Sequence, residues 1–342
     1  MASSLHVAVV GASGYSGEEL VRLLARHPHA QLKTVTSRQF AGQTVGSVVP
    51  GLTGAENLVF ENLSPSQVGS GVDLVFLALP HGIAAEYAVP LRQAGIKVID
   101  LSADFRLKDP AIYQEFYGKE HPAPALLQEA VYGLPELHRA ELKTCDLIAS
   151  PGCYPTSILL ALAPFLKAKA IDPDSIVINA LSGVSGAGKK AEISLLYSEL
   201  DENMKPYGVP KHRHLSEIEQ ELALAAGEKV VVTFIPHLVP LHRGMLSTII
   251  TRPLRPLSEK QVFDLLQNAY EKEPFVQILP VGTLPEVKFV ARTNRVQIGF
   301  SLDNRTGRLM IFSALDNLGK GAAGQAVQAM NVRAGLEESA GL

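Results

Sequence analysis

Cys153 stands in Ser150-Pro151-Gly152-Cys153-Tyr154-Pro155-Thr156, between the strand-like Cys145-Asp146-Leu147-Ile148-Ala149 and the apolar run Ser157-Ile158-Leu159-Leu160-Ala161-Leu162. That run predicts a buried helix over 156–167. A cysteine at such a strand-to-helix turn meets unpaired N–H groups and the positive end of the helix dipole, which favour thiolate over thiol. Gly152 lets the backbone turn sharply, and Pro155 suits a first helical turn. The pattern is that of a cysteine nucleophile. An inert buried thiol, the commoner fate of a lone cysteine, needs none of this punctuation.

A thiolate nucleophile needs a proton-transfer partner. Lys211-His212-Arg213-His214 precedes a helix predicted over 215–226, and an imidazole there can take the thiol proton and later return one. The spacing does not choose between His212 and His214. Histidines at i and i+2 could also hold a metal on a strand, but neither cysteine nor any carboxylate completes a usual zinc pattern with them, so no metal is expected. His237 and His242 read as structural or substrate-edge groups. Ser182-Gly183-Val184-Ser185-Gly186-Ala187-Gly188-Lys189-Lys190 follows an apolar strand, and its glycines and hydroxyls could form an anion-binding nest aided by the lysines. Its spacing is not that of a P-loop. Arg106, in Asp104-Phe105-Arg106 after a predicted strand over 97–101, could clamp a phosphate or carboxylate.

The second chemical element is Gly11-Ala12-Ser13-Gly14-Tyr15-Ser16-Gly17, between the first strand and the first helix. A tight glycine turn there lets backbone N–H groups approach a pyrophosphate at a helix N-terminus. An NAD site usually ends its second strand in Asp or Glu for the ribose 2′-OH, whereas this strand ends in Thr36-Ser37-Arg38-Gln39. A hydroxyl and a guanidinium suit a 2′-phosphate, so NADP(H) is favoured.

Positioning these groups requires two domains, which 342 residues suit. Strands are predicted over 5–10, 31–36, 73–79 and 97–101, with helices over 17–27 and 82–94 between them. Continuous apolar strands separated by helices predict a parallel sheet covered on both faces. Segments 38–72 and 103–141 read as less regular. Beyond 156–167 come strands over 175–181, 229–236, 245–252, 296–302 and 308–314, and helices over 186–200, 215–226 and 258–272, with a last helix over 316–332 capped by Asp316. The fold class is α/β: a Rossmann-type dinucleotide-binding domain over 1–150, joined by the C-terminal helix over 315–342, and an α+β catalytic domain over 151–314 with a mixed, largely antiparallel sheet.

Composition narrows the function classes. A net charge of −3 without a basic stripe argues against nucleic acid. Two cysteines make no disulfide framework and suit a reducing compartment. The chain opens almost directly on a strand, and no apolar stretch is long enough to span a bilayer. A cytoplasmic protein, without a membrane partner, is expected.

A nicotinamide site, a cysteine nucleophile, an acid/base histidine and anion-binding arginines fit the interconversion of an acyl phosphate and an aldehyde. The chain also resembles the N-acetyl-γ-glutamyl-phosphate reductases of arginine biosynthesis, relatives of aspartate-semialdehyde dehydrogenase. The resemblance spans nearly the whole chain. It is carried by the Gly11–Gly17 turn, Phe76-Leu77-Ala78-Leu79-Pro80-His81-Gly82, Asp100-Leu101-Ser102-Ala103-Asp104-Phe105-Arg106, Tyr132-Gly133-Leu134-Pro135-Glu136, Pro151–Thr156, Ser182–Gly188, His212–His214 and Asp316–Gln328. It implies Cys153 as nucleophile and a histidine of the 212–214 stretch as acid/base, with His214 favoured. It implies NADPH over Gly11, Ser13, Gly14 and Gly17, with Tyr15 and Ser16 in the same turn and Ser37 and Arg38 near the 2′-phosphate. Pro80 and Asn317 would approach the nicotinamide, with Ser182 and Gly183 also on the cofactor, and Arg106, Ser185 and Gly186 on the substrate. The resemblance further implies that the C-terminal helix returns to the nucleotide domain and that the second sheet supports a homodimer or homotetramer. Aspartate-semialdehyde dehydrogenase, a lysine-pathway aminoadipyl-phosphate reductase and, from another class, a non-catalytic NADP(H)-binding redox sensor are the alternatives.

Overall fold

The computed structural model describes residues 4–189 and 191–342, so Lys190 of the expected nest lies outside the described residues. The chain divides into two units, one of Met1–Pro151 with Ala322–Leu342, the other of Gly152–Gly321.

In the first unit the strands are β1 (Leu5–Val10), β2 (Ala30–Thr36), β3 (Phe60–Glu61), β4 (Leu74–Leu77), β5 (Lys97–Asp100), β6 (Val131–Tyr132) and β7 (Leu147–Ala149). Among the described residues they form one sheet in the order β3-β2-β1-β4-β5-β7-β6, with every pairing parallel. All four residues of β4 are buried, as a parallel strand covered on both faces requires. Helix Tyr15–Leu24 and the C-terminal helix Gly324–Ala334 share one apolar layer, in which Leu20, Leu24, Val327 and Met330 pack with Val7, Val9 and Phe76. Helix Ala84–Gln93 lies in the other layer, where Ala84, Ala88 and Leu91 pack with Val75, Leu77 and Val98. Strand order reverses between β1 and β4, which opens the crevice at their carboxyl ends where open α/β sheets bind ligands.

Segment 103–141 is more regular than its prolines suggest. Helices Pro110–Tyr117, Pro124–Glu129 and Pro135–Leu142 each begin on one of them, because a first-turn proline loses no helical hydrogen bond.

The second unit holds β8 (Val177–Gly183), β9 (Lys205–Pro206), β10 (Thr233–Val239), β11 (Met245–Thr251), β12 (Val276–Ile278), β13 (Val296–Asp303) and β14 (Arg308–Leu315). Their order is β12-β13-β14-β11-β8-β10-β9. β12 with β13 and β8 with β10 are parallel, and the remaining pairings are antiparallel. Helices Cys153–Lys167, His214–Ala226 and Glu259–Tyr270 complete the unit. The helix expected over 186–200 is not continuous. It is replaced by 3₁₀ turns at Val184–Ala187 and Ile193–Leu195 and one helical turn at Tyr197–Leu200. Gly188, at φ +80°, leaves helical space and ends the first of these turns. The expected last helix begins instead as a π-type turn over Gly319–Ala323, and the regular helix runs from Gly324.

Candidate active site

In the first unit, Gly11 ends β1 at φ +80°, and a Cβ there would stand 2.4 Å from the Ala78 carbonyl oxygen. A Cβ on Gly17 would stand 2.3 Å from the Gly11 carbonyl oxygen, so this glycine permits the close approach of helix to turn. Gly14 is the extended N-cap residue of helix Tyr15–Leu24 and makes no side-chain cap. The first N–H groups of that helix, from Tyr15, Ser16 and Gly17, have no intrahelical acceptors. The hydroxyls of Ser13 and Ser37 meet at 2.8 Å, which ties the turn after β1 to the end of β2. Arg38 is exposed beside them, and Pro80 is exposed just beyond β4. A glycine turn that admits backbone, a helix N-terminus and a hydroxyl–guanidinium pair at the end of β2 fit a dinucleotide carrying a 2′-phosphate.

Arg106 is buried, and its guanidinium donates to the carbonyl oxygens of Ser150 at 2.8 Å and Leu101 at 3.0 Å. It thereby ties together the chain segments that leave β5 and β7.

In the second unit, Cys153 is the first residue of a 15-residue helix, one turn earlier than the apolar run predicts, and is half-buried. Pro155 is therefore its third residue. Gly152, the N-cap, donates its N–H at 2.8 Å to Glu217, a carboxylate buried in the first turn of helix His214–Ala226. This bond holds the two helix N-termini together. The ring of Tyr154 packs edge-on against His212 at 5.7 Å and His214 at 5.9 Å, so the residue after Cys153 touches both candidate histidines. The Tyr207 hydroxyl donates to that of Tyr154 at 3.2 Å, which donates in turn to the His237 carbonyl. Burial pushes both tyrosine pKa values up, so both hydroxyls stay protonated.

His212 and His214 lie 5.0 Å apart, ring to ring. Burial, and then the charge of Arg213, push the pKa of His212 down to about 4.

The glycine–serine loop after β8 is tied to Asn317. Asn317 Nδ2 donates to Ser185 Oγ at 2.9 Å, Ser185 Oγ donates to the His242 carbonyl, and the Gly244 N–H donates to Asn317 Oδ1 at 2.7 Å. Ser182 and Gly183 are buried, and a Cβ on Gly183 would stand 2.9 Å from the carbonyl oxygens of Leu241 and His242. Gly186 is exposed. Arg243 pairs with fully buried Asp316 at 2.9 Å, and Asp316 also accepts from the N–H groups of Leu318 and Gly319. Glu217, Tyr207 and the Arg243–Asp316 pair were not singled out from sequence for this site. The regular C-terminal helix has Ala323 as its N-cap, so Asp316 does not cap it as expected but binds the amides that lead into the π-type turn.

Comparison with known proteins sets this geometry in a family. Residues 6–145 match the semialdehyde dehydrogenase NAD-binding domain, and residues 153–317 match the semialdehyde dehydrogenase dimerisation domain. Among solved structures, aspartate semialdehyde dehydrogenase II of Vibrio cholerae, complexed with ASA, aligns with a TM-score of 0.73 at 19% identity over 97% of this chain and 98% of that one. Aspartate semialdehyde dehydrogenase with NADP from Candida albicans aligns with a TM-score of 0.70 at 15% identity, covering 96% and 98%. The class is thus an α/β oxidoreductase with a semialdehyde dehydrogenase fold. An N-acetyl-γ-glutamyl-phosphate reductase of Pelotomaculum thermopropionicum is 49% identical over 99% of this chain and 98% of its own. One from Citrifermentans bemidjiense is 51% identical over the same shares. The chain belongs to the N-acetyl-γ-glutamyl-phosphate reductase family.

Proposed function

We propose that the protein reduces N-acetyl-L-glutamyl 5-phosphate to N-acetyl-L-glutamate 5-semialdehyde and phosphate with NADPH, a step of arginine biosynthesis. The carrying observation is Cys153 at the first position of a long helix, with its N-cap amide held by Glu217 and its neighbour Tyr154 against two histidines. In this reading the Cys153 thiolate, favoured by the helix N-terminus, attacks the acyl carbon and phosphate leaves, forming a thioester. Gly11, Ser13, Gly14, Tyr15, Ser16, Gly17, Ser37 and Arg38 hold NADPH, with Pro80, Ser182, Gly183 and Asn317 towards its nicotinamide. When bound, NADPH supplies the hydride. His214 donates a proton to the oxygen of the resulting hemithioacetal and takes it back as the C–S bond breaks, releasing aldehyde and restoring the thiolate. Arg106, Ser185 and Gly186 orient the substrate.

The first unit serves as the NADP-binding domain and the second as the catalytic one. The second also supports assembly as a homodimer or homotetramer. The relatives' dimerisation-domain match and a half-exposed sheet face carrying Leu181, Ile235, Leu246, Ile250, Met310 and Phe312 support this. No described helix is long and apolar enough to cross a membrane. In this reading the enzyme is cytoplasmic, as a biosynthetic reductase acting on small soluble substrates.

The test is phosphate-dependent reduction of NADP⁺ with N-acetylglutamate semialdehyde, with aspartate semialdehyde as paired control. Turnover of the first alone is expected. Turnover of the second alone would keep the chemistry and overturn the substrate.

A further inference from the structure

Asp104 belongs to a buried cluster that the reaction above leaves unused. Its carboxylate is fully buried and accepts three hydrogen bonds. Oδ1 accepts from the Gly82 N–H at 2.7 Å and the Tyr113 hydroxyl at 3.2 Å, and Oδ2 accepts from the Ala84 N–H at 3.1 Å. The adjacent Ala103 N–H donates to His81 Nδ1 at 3.1 Å. The loop Pro80–Ala84 is thus fastened residue by residue to the segment after β5.

The fastening is itself held rigid. The Asp104 N–H donates to Ser102 Oγ at 3.0 Å, its carbonyl oxygen lies 2.7 Å from His121 Nε2, and Tyr113 stacks on Tyr117 at 4.7 Å. A second fully buried carboxylate, Asp100, repels Asp104 within the same cluster. Burying a charge is costly unless its hydrogen bonds are made, and a surface loop does not need such an anchor. What this anchor fixes is the loop after β4, on the rim of the β1–β4 crevice.

We infer that Asp104 is a positioning residue for the nicotinamide half of the dinucleotide. This rests on the NADP(H) reading above. Asp104 holds Pro80–Gly82 in the conformation that receives that half, while Ser13, Ser37 and Arg38 hold the adenosine half independently. The two carboxylate oxygens serve two separate backbone donors. An Asn in its place keeps the volume but sets an amide donor against one of those N–H groups, leaving it unsatisfied.

The experiment compares NADPH with 2′,5′-ADP, which has the 2′-phosphate but no nicotinamide half, by calorimetry on the wild type, Asp104→Asn and Tyr113→Phe. For Asp104→Asn, Kd for NADPH should rise about tenfold or more, in line with loss of a charged hydrogen bond. Kd for 2′,5′-ADP should stay within about twofold. Tyr113→Phe removes only the hydroxyl bond, so it should shift NADPH in the same direction by a few-fold, and it carries the test should Asp104→Asn not fold. Equal weakening of both ligands, or of neither, overturns the positioning role. Failure of the wild type to bind either ligand overturns the NADP(H) reading and the inference with it.

Discussion

The backbone N–H of His214 donates to Nδ1 of His212 at 3.1 Å. That bond makes His212 an acceptor at Nδ1 and so, in the neutral ring, a proton carrier at Nε2 only. With its pKa pushed down to about 4 by burial and Arg213, His212 remains neutral throughout the physiological range. It therefore acts as a cap on the turn that starts helix His214–Ala226, which in the proposed mechanism leaves proton transfer to His214. Asparagine can replace a capping imidazole through its side-chain oxygen. His212→Asn should retain kcat within about tenfold, whereas His214→Asn should lower it by roughly 10²–10⁴, the usual worth of a general acid/base. Steady-state kinetics of both variants check this, and the reverse ranking would exchange the roles.

Cys153 is packed directly against Gly321. A Cβ on Gly321 would stand 2.8 Å from the Cys153 Cβ and 3.1 Å from the Asp316 carbonyl oxygen. Gly321 is not among the glycines at positive φ, so an alanine there meets a steric obstacle, not a backbone one. Gly321→Ala should displace the thiol and cut kcat by about 10²-fold, as small misplacements of a reacting group do. Cys153→Ala should abolish turnover. Both should leave NADPH affinity within a few-fold. Substantial turnover by Cys153→Ala would sink the covalent mechanism, and an unchanged kcat for Gly321→Ala would show that the thiol tolerates the shift.

Both sheets could be anticipated because buried strands announce themselves locally. The apolar run at β4 and the glycine turn after β1 are continuous in sequence. The partners that hold the site are not: Glu217 meets Gly152 across 65 residues and Asp316 meets Arg243 across 73. No periodicity reports such a pairing. Where the structure departs from expectation the cause is also local: the less regular segment 103–141 holds three helices that open on Pro110, Pro124 and Pro135, and Gly188 at φ +80° ends the first turn of the helix expected over 186–200. Spacing does not choose between His212 and His214, and the feature that distinguishes them, the His214 N–H bond to His212 Nδ1, is a local backbone contact that spacing does not report.

Arg38 is exposed at the end of β2, beside the Ser13–Ser37 hydroxyl pair. An exposed guanidinium adds little to a folded chain but can bind a 2′-phosphate bidentately. Arg38→Ala should raise Kd for NADPH by about tenfold or more and leave Kd for NADH nearly unchanged. Titration of both cofactors by fluorescence measures the difference. An equal loss for both would refute the 2′-phosphate assignment.

Asp100 links stability to pH. Burial, reinforced by the charge of Asp104 and opposed by hydrogen bonds from Ser102 and by Arg106, pushes its pKa up to about 7. The folded state therefore binds this proton more tightly than the unfolded chain, whose Asp titrates near 3.9. The stabilisation attached to the proton is fully present below the unfolded value and is lost as pH rises towards 7, then stays level above it. Asparagine at this position carries no such proton and can still accept from the Ser102 N–H that Asp100 now binds at 2.9 Å. The difference in Tm between Asp100→Asn and wild type should therefore move in favour of the variant between pH 5 and pH 8, by an amount on the order of a few degrees. Thermal melts at both pH values decide it. A constant difference would mean that Asp100 is already ionised in the fold at pH 5, with Ser102 and Arg106 outweighing its burial.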